Sequence, residues 1–145
     1  MRNTRWGFTG SRKGCNESII AKALKDLPLK KNDQIVTGAC MGIDAQIAIY
    51  VGKNYPSVYQ VVVVPDNRSQ IDKRVFKYAD WIIEMPDNSS YRDRNEGIVR
   101  LSHKVIAFWT GWKRGGTYMT INIAKREEKL HKIIYYYDGL KPNRP

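Results

Sequence analysis

The stretch Tyr59-Gln-Val-Val-Val-Val-Pro65 decides the fold class of this 145-residue chain. Its four consecutive valines make the segment apolar on both of its faces. That pattern is typical of a strand in the middle of a parallel sheet, where helices cover both sides. The stretch therefore predicts an α/β protein.

Strand-like and helix-like segments alternate on either side of this stretch. The predicted strands cover residues 6–9, 34–37, 59–65, 81–85, 104–109 and 132–137. The predicted helices, marked by apolar residues at helical spacing, cover residues 19–27 behind an Asn16 cap, 43–52, 72–78, 94–101 and 116–129. The alternation predicts right-handed crossovers and a doubly wound, mostly parallel Rossmann-like sheet with helices on both faces. We expect one domain over residues 1–138 and a polar C-terminal tail over residues 139–145.

The composition restricts the class of partner. The chain has 25 Lys and Arg against 14 Asp and Glu, a net charge of +11, which favours anionic partners such as nucleotides or nucleic acid. Two cysteines and two histidines, far apart, predict neither a disulfide scaffold nor a metal site. The N-terminal residues lack the apolar segment of a signal peptide, and no apolar run is long enough to cross a bilayer. We therefore expect a cytoplasmic protein without membrane association, metal or cofactor.

Three glycine-rich turns follow predicted strands: FTGSRKG at 8–14, TGACMGID at 37–44 and TGWKRGGTYMT at 110–120. Because the carboxyl ends of parallel strands meet at one edge of a sheet, the three turns are predicted to lie together. Glycine lets an anion approach backbone N–H groups closely, and a helix N-terminus favours negative charge. We predict a phosphate site that contains Gly10, Gly38, Gly42, Gly115 and Gly116.

Polar residues in these turns have two interpretations each. Ser11 and Arg12 suit a phosphate, but they would equally serve as a turn cap and a solvated cation. Asp44 is either a helix cap or an acceptor for a ribose hydroxyl. Thr117 is predicted to cap the last helix, to donate its hydroxyl to a phosphate, or both.

The segment YRDRNEG at 91–97 adds further candidates. Arg92 and Arg94 are predicted to neutralise ligand charge. Asn95 stands at a predicted helix start, where asparagine is disfavoured unless its amide makes a hydrogen bond, so it is a candidate for recognition of a ribose or a base. Glu96 is expected to pair with one of the arginines.

These motifs together resemble the SLOG superfamily, which contains the DNA-processing protein DprA and the LOG phosphoribohydrolases, and within it the small YspA-like proteins, which are related to YpsA. The shared features are the GSR after the first strand, the G-x-x-x-G-x-D turn, the Arg94–Asn95 pair, and a strand ending in AFW followed by GGT. The resemblance covers residues 6–137. It implies a Rossmann-like domain that binds nucleotides or nucleotide-derived ligands, and a homo-oligomer.

One position departs from the LOG enzymes. Their GGxGTxxE motif ends in a glutamate that takes part in glycosidic-bond cleavage, and this chain has Thr120 there. A threonine hydroxyl is not a general base at neutral pH without an activating partner. We include Thr120 among the ligand-binding candidates and name no catalytic residue.

The leading hypothesis is therefore a non-catalytic domain that binds a nucleotide-derived small molecule, as a sensor or scavenger of a signalling nucleotide. One alternative is a nucleoside or nucleotide N-glycosidase or transferase. The other is DprA-like binding of single-stranded DNA, which the net charge supports. Single-strand binders use exposed aromatic platforms, and we expect Tyr135, Tyr136 and Tyr137 to lie instead in the core and at the sheet edge.

Overall fold

The computed structural model describes residues 3–137, and the predicted C-terminal tail lies outside them. Six strands form one sheet: β1 (Arg5–Thr9), β2 (Gln34–Gly38), β3 (Tyr59–Val64), β4 (Trp81–Glu84), β5 (Lys104–Trp109) and β6 (Leu130–Tyr135). All neighbouring strands are parallel, in the order β4-β3-β2-β1-β5-β6. The predicted doubly wound α/β fold is confirmed.

The helices cover both faces of this sheet. They are α1 (Glu17–Asp26), α2 (Ile43–Asn54), α3 (Tyr91–Leu101) and α4 (Gly115–Arg126), with a short 3₁₀ helix at Lys73–Lys77. The first two pack together on one face, and the last two pack together on the other. No helix among residues 3–137 is long and apolar enough to cross a membrane.

The valines of β3 are buried on both faces, as the sequence predicts. Val62 and Val64 pack in a cluster with α2 and the 3₁₀ helix. Val61 and Val63 pack against Ile98 of α3 on the opposite face. Alternation along the strand directs each pair toward a different helical layer. This internal strand, the second from one edge of the sheet, therefore packs against helices on both faces.

The strand order reverses between β1 and β5, because the chain adds β2, β3 and β4 on one side and then returns to add β5 and β6 on the other. In open parallel sheets a crevice forms at this reversal, outside the carboxyl ends of the two strands. The turns that follow β1 and β5 therefore flank the expected ligand position.

The start of one helix and the type of another differ from the prediction. The helix predicted from Arg94 begins at Tyr91, because Ser90 and Asp93 form a capping box that starts α3 earlier. Asn95 consequently lies in the second turn of α3 and not at its start. The segment predicted as a helix over 72–78 is a 3₁₀ helix.

The last helix and strand are also displaced relative to the prediction. α4 ends at Arg126, and the following turn places Glu128 at a φ of 56°. After this turn, β6 begins at Leu130, which pairs with Val105 of β5. The strand predicted over 132–137 therefore covers Leu130–Tyr135.

Candidate functional site

A cleft of about 370 Å³ lies beyond the carboxyl ends of β1 and β5, against α3 and the start of α4. We call it the cleft. The structure brings most of the predicted site residues to its walls: Gly10, Ser11, Arg12, Asp44, Arg94, Asn95, Gly115, Gly116 and Thr117. These residues come from four separate segments of the chain.

One helix N-terminus is open to the cleft and another is closed. The first turn of α2 is covered by the turn after β1, since the Ile43 N–H donates to the Ser11 carbonyl at 3.0 Å. The first turn of α4 follows Arg114, which forms no side-chain cap. Thr117 lies inside that first turn and does not cap it. The uncapped N–H groups and the helix dipole at α4 therefore favour an anion in the cleft.

Arg94 is a buried charged residue of the cleft wall. It is only 7% exposed, yet none of the ion pairs among residues 3–137 includes it. Its Nε donates to Asn95 Oδ1 at 3.0 Å, and its Nη1 and Nη2 donate weakly to Cys40 Sγ at 3.7 and 3.8 Å. Asp44 lies near enough to interact electrostatically with Arg94, but the two form no ion pair, and a buried charge without a close partner is costly. An anion bound in the cleft would remove that cost.

The two titratable groups next to Arg94, Asp44 and Cys40, both have raised pKa values. Burial raises the pKa of Asp44, and the nearby Arg94 charge and the Cys40 N–H lower it only in part. Burial, followed by the Asp44 carboxylate, also raises the pKa of the Cys40 thiol. Burial therefore opposes ionisation of both groups, and the Arg94 charge partly offsets that effect.

Asp44→Asn is expected to make the unfolding free energy less sensitive to pH. The raised pKa of Asp44 means that its contribution to stability is fully present below the ordinary aspartate value of about 3.9 and is lost as pH rises through the folded-state value. Asparagine keeps the shape and stays neutral. Urea unfolding from pH 4 to pH 8 should show the variant gaining stability relative to the natural chain, and two parallel curves would contradict the raised pKa.

Gly38 and Gly42, predicted as phosphate-binding residues, support the walls and do not line the cleft. A Cβ on Gly38 would lie 2.6 Å from Asp44 Oδ2 and 2.8 Å from Arg94 Cζ. A Cβ on Gly42, whose φ is +85°, would collide with the backbone of Ser11 and of the residue after it. Both glycines are therefore required by close packing inside the protein.

Arg92 and Thr120 also lie outside the cleft. The Arg92 Nε donates to Glu96 Oε1 at 3.2 Å on the outer side of α3, which is the ion pair predicted for Glu96. Thr120 is fully buried, and its hydroxyl donates to the Gly116 carbonyl of its own helix at 2.8 Å. The prediction that Thr120 binds ligand is therefore not supported by its position.

A second depression, of about 340 Å³, adjoins the cleft and shares Ser11, Arg12 and Thr117 with it. We call it the aromatic depression. Most of its wall residues are basic or aromatic: Arg12, Lys13, Phe108, Trp109, Trp112, Arg114 and Tyr136. The sequence prediction considered only the tyrosines of residues 135–137 as a stacking platform. The structure adds Trp109 and Trp112 to that surface, keeps Tyr136 as a wall residue, and leaves Tyr135 and Tyr137 exposed, not in the core.

Further cleft residues were also missed by the sequence prediction: Phe8, Thr9, Cys40, Tyr91, Ile98 and Met119. Cys40 stands between Gly38 and Gly42 in a turn that was singled out, so its place in the sequence was a usable signal. Tyr91 begins the YRDRN segment, and its ring lies 5.7 Å from Arg94 Cζ. The apolar residues carry no such signal, because they look like ordinary core positions.

Comparison with solved structures identifies the same architecture elsewhere. The X-ray structure of DNA processing protein A (DprA) from Streptococcus pneumoniae matches 94% of this chain with a TM-score of 0.70 and 18% identity. The chain has the DprA fold. DprA from Helicobacter pylori matches 96% of this chain with a TM-score of 0.65 and 14% identity. The structure of that protein is described in terms of its single-stranded DNA binding mode.

The likeness to DprA concerns the fold. The chain spans 52% of the S. pneumoniae DprA structure and 68% of the H. pylori one. No family model and no curated protein matches the sequence. The DprA fold agrees with the SLOG-type architecture that the motifs imply, whereas the closeness to YspA-like proteins, the homo-oligomer and the cytoplasmic location stay predictions.

Proposed function

We propose that this chain binds single-stranded DNA at the carboxyl edge of its sheet, with one phosphate held in the cleft. The observation that carries the proposal is Arg94, a guanidinium buried to 7% exposure with no ion-pair partner among residues 3–137. A planar guanidinium offers paired N–H donors that match two oxygens of a phosphate. Binding would exchange weak contacts with Cys40 Sγ for charged hydrogen bonds.

The surrounding groups suit the same anion. The first turn of α4 offers N–H donors at Gly116 and Thr117, which a capped helix would not leave available. Ser11 and Thr117 add hydroxyl groups at the rim of the cleft. The donors come from both sides of the strand reversal, so a phosphate between β1 and β5 would be contacted from two directions.

A polymer is favoured over a free nucleotide by three observations. The cleft continues into the aromatic depression, so a ligand can extend beyond one nucleotide. The chain carries a net charge of +11, which favours a polyanion. The H. pylori protein with the same fold is described as binding single-stranded DNA. Exposed aromatic rings favour single strands, whose bases are free to stack on them.

A free nucleotide-derived ligand, held by a sensor or scavenger, is the second candidate function. Asn95 and Asp44 favour it, because both line the cleft while remaining at most 7% exposed, which suits recognition of one ribose or base. An N-glycosidase or transferase activity would have to use Asp44, the one acidic side chain that residues 3–137 bring to the cleft. Thr120 offers no base there.

The proposal is tested by titrating fluorescein-labelled dT10, single-stranded and paired with dA10, and by competition with dTMP. We expect the single strand to bind more tightly than the duplex. The logarithm of its association constant should fall linearly with the logarithm of the salt concentration, with a slope of about −0.7 for each phosphate contacted. Equal affinity for the duplex would contradict the proposal. Competition by dTMP at the affinity of the full oligonucleotide would favour the free-nucleotide function.

Gly116→Val is expected to weaken binding of dT10 roughly tenfold or more, through loss of at least one hydrogen bond to a charged group. A Cβ at Gly116 meets only Asn95 Nδ2, at an ordinary 3.5 Å, so the fold tolerates a side chain there. The branched side chain would occupy the anion position at the start of α4. Anisotropy measures the affinity and thermal unfolding monitors the fold; a folded variant with unchanged affinity would place the phosphate elsewhere.

A further inference from the structure

We infer that Trp112 stacks on the base of the nucleotide next to the one whose phosphate lies in the cleft. The shortest ligand that fills both depressions is then a dinucleotide. This inference rests on the proposed function. It adds a second subsite, formed by Trp112, whose contribution to the affinity requires a ligand longer than one nucleotide.

Trp112 presents an open ring beside the cleft. It is 42% exposed, it lines the aromatic depression, and it takes part in no aromatic pair among residues 3–137. A large exposed apolar ring costs free energy in water, and stacking with a base would cover it. An isolated exposed tryptophan would need no explanation, but this one lines a depression together with three cationic side chains and shares wall residues with the cleft.

Contacts made by Trp109 hold the backbone at Trp112 in place. The Trp109 indole N–H donates to the Trp112 carbonyl at 2.9 Å. Trp109 in turn stacks on Tyr118, with centroids 5.6 Å apart and planes 14° from parallel, and contacts Tyr135 at 5.8 Å. These contacts hold the loop before any ligand arrives. Less conformational freedom is therefore lost on binding.

The charges around Trp112 complement a nucleic-acid backbone. Arg12, Lys13 and Arg114 line the same depression, are exposed, and take part in no ion pair among residues 3–137. Arg12 also lines the cleft, so a phosphate that links two nucleotides would lie near it. The two depressions have similar volumes, about 340 and 370 Å³, and share Ser11, Arg12 and Thr117 in their walls. A ligand that fills both would place its phosphate in the cleft and a base against the Trp112 ring.

The test compares ligand length across matched tryptophan variants. The affinities of dTMP, dT2 and dT6 are measured for the natural chain, Trp112→Ala, Trp112→Phe and Trp81→Ala. Trp81 is the matched control, because it is 49% exposed but lies on β4, the strand at the edge of the sheet farthest from β5 and β6. Thermal unfolding of each variant is measured alongside.

We expect Trp112→Ala to weaken dT2 and dT6 by roughly 5- to 150-fold, the range for loss of one stacked base, and to change dTMP less than twofold. Trp112→Phe should recover most of the affinity, and Trp81→Ala should have none of these effects. The natural chain should also show additional tryptophan quenching by dT2 relative to dTMP, which Trp112→Phe should lose.

Equal affinities of Trp112→Ala and Trp81→Ala for dT6 would overturn the stacking subsite. An equal loss for dTMP and dT6 would also overturn it, because Trp112 would then act on the cleft or on the fold. If dT6 binds the natural chain and needs Arg94 but not Trp112, only this inference fails. If neither dTMP nor dT6 binds the natural chain, the proposed function fails together with it.

Discussion

Arg94→Gln is expected to weaken binding of single-stranded DNA and of mononucleotides by about 10- to 150-fold, the loss of 1.5–3 kcal/mol for hydrogen bonds to a charged group. The buried guanidinium has no ion-pair partner among residues 3–137, so a bound phosphate would receive its full charge. Glutamine keeps part of the length and the hydrogen-bonding capacity but removes the charge. Anisotropy with dT10 and calorimetry with dTMP measure the two losses.

Arg92→Gln is the matched control for this prediction, since Arg92 lies on the same helix, outside the cleft and paired with Glu96. It should change the affinity for dT10 only slightly. Thymidine, which has no phosphate, provides a second control, because its binding should change little in Arg94→Gln. Equal losses for thymidine and dTMP would mean that Arg94 supports the structure of the cleft and does not contact a phosphate.

Gly42→Ala is expected to lower the free energy of unfolding by roughly 2–6 kcal/mol, from backbone strain together with overpacking. Gly42 has a φ of 85° and a ψ of −131°, a conformation that residues with a Cβ rarely adopt. The added Cβ would also lie 2.5 Å from the Arg12 carbonyl oxygen, and backbone atoms in a tight turn have little room to move. Urea unfolding at neutral pH measures the loss.

Gly97→Ala provides a control of opposite sign. Its Cβ would meet Val63 and Met85 at ordinary distances of 3.8 and 3.9 Å, within the helix α3. Alanine there should raise the unfolding free energy by about 0.4–1 kcal/mol, because it reduces the freedom of the unfolded chain. A Gly42→Ala variant as stable as Gly97→Ala would mean that the turn after β2 relaxes at no cost.

Local sequence was sufficient to predict the fold class and the edge that carries the site. The β3 valines signal burial on both faces of a strand, and each strand-to-helix alternation is a property of neighbouring residues. Because parallel strands end at one edge, the turns containing Gly10 and Gly115 could be placed together without coordinates. Asn16 as the cap of α1 is likewise local, since its side chain accepts a hydrogen bond from the Ser18 N–H.

The sequence prediction placed both Arg92 and Arg94 at the ligand, because its helix began at Arg94; the structure places both residues on α3. Arg92 and Arg94 are two positions apart, which is about 200° around a helix, so they cannot both face one cleft. Which of them faces inward is decided by the packing of Ile98 against β3. The early start of α3 at its Ser90 cap then places Asn95 in the second turn, beside Arg94.

Contacts between distant segments decided the rest of the site. Whether a helix N-terminus is open depends on what another loop places over it: the Ser11 carbonyl closes α2, whereas α4 has no such cover. The aromatic depression likewise combines wall residues from distant segments, among them Arg12 after β1, Trp112 after β5 and Tyr136 after β6. Patterns of neighbouring residues predict elements, because helix and strand periodicity is local. The groups that an anion would meet are set by packing between elements, which only the tertiary structure determines.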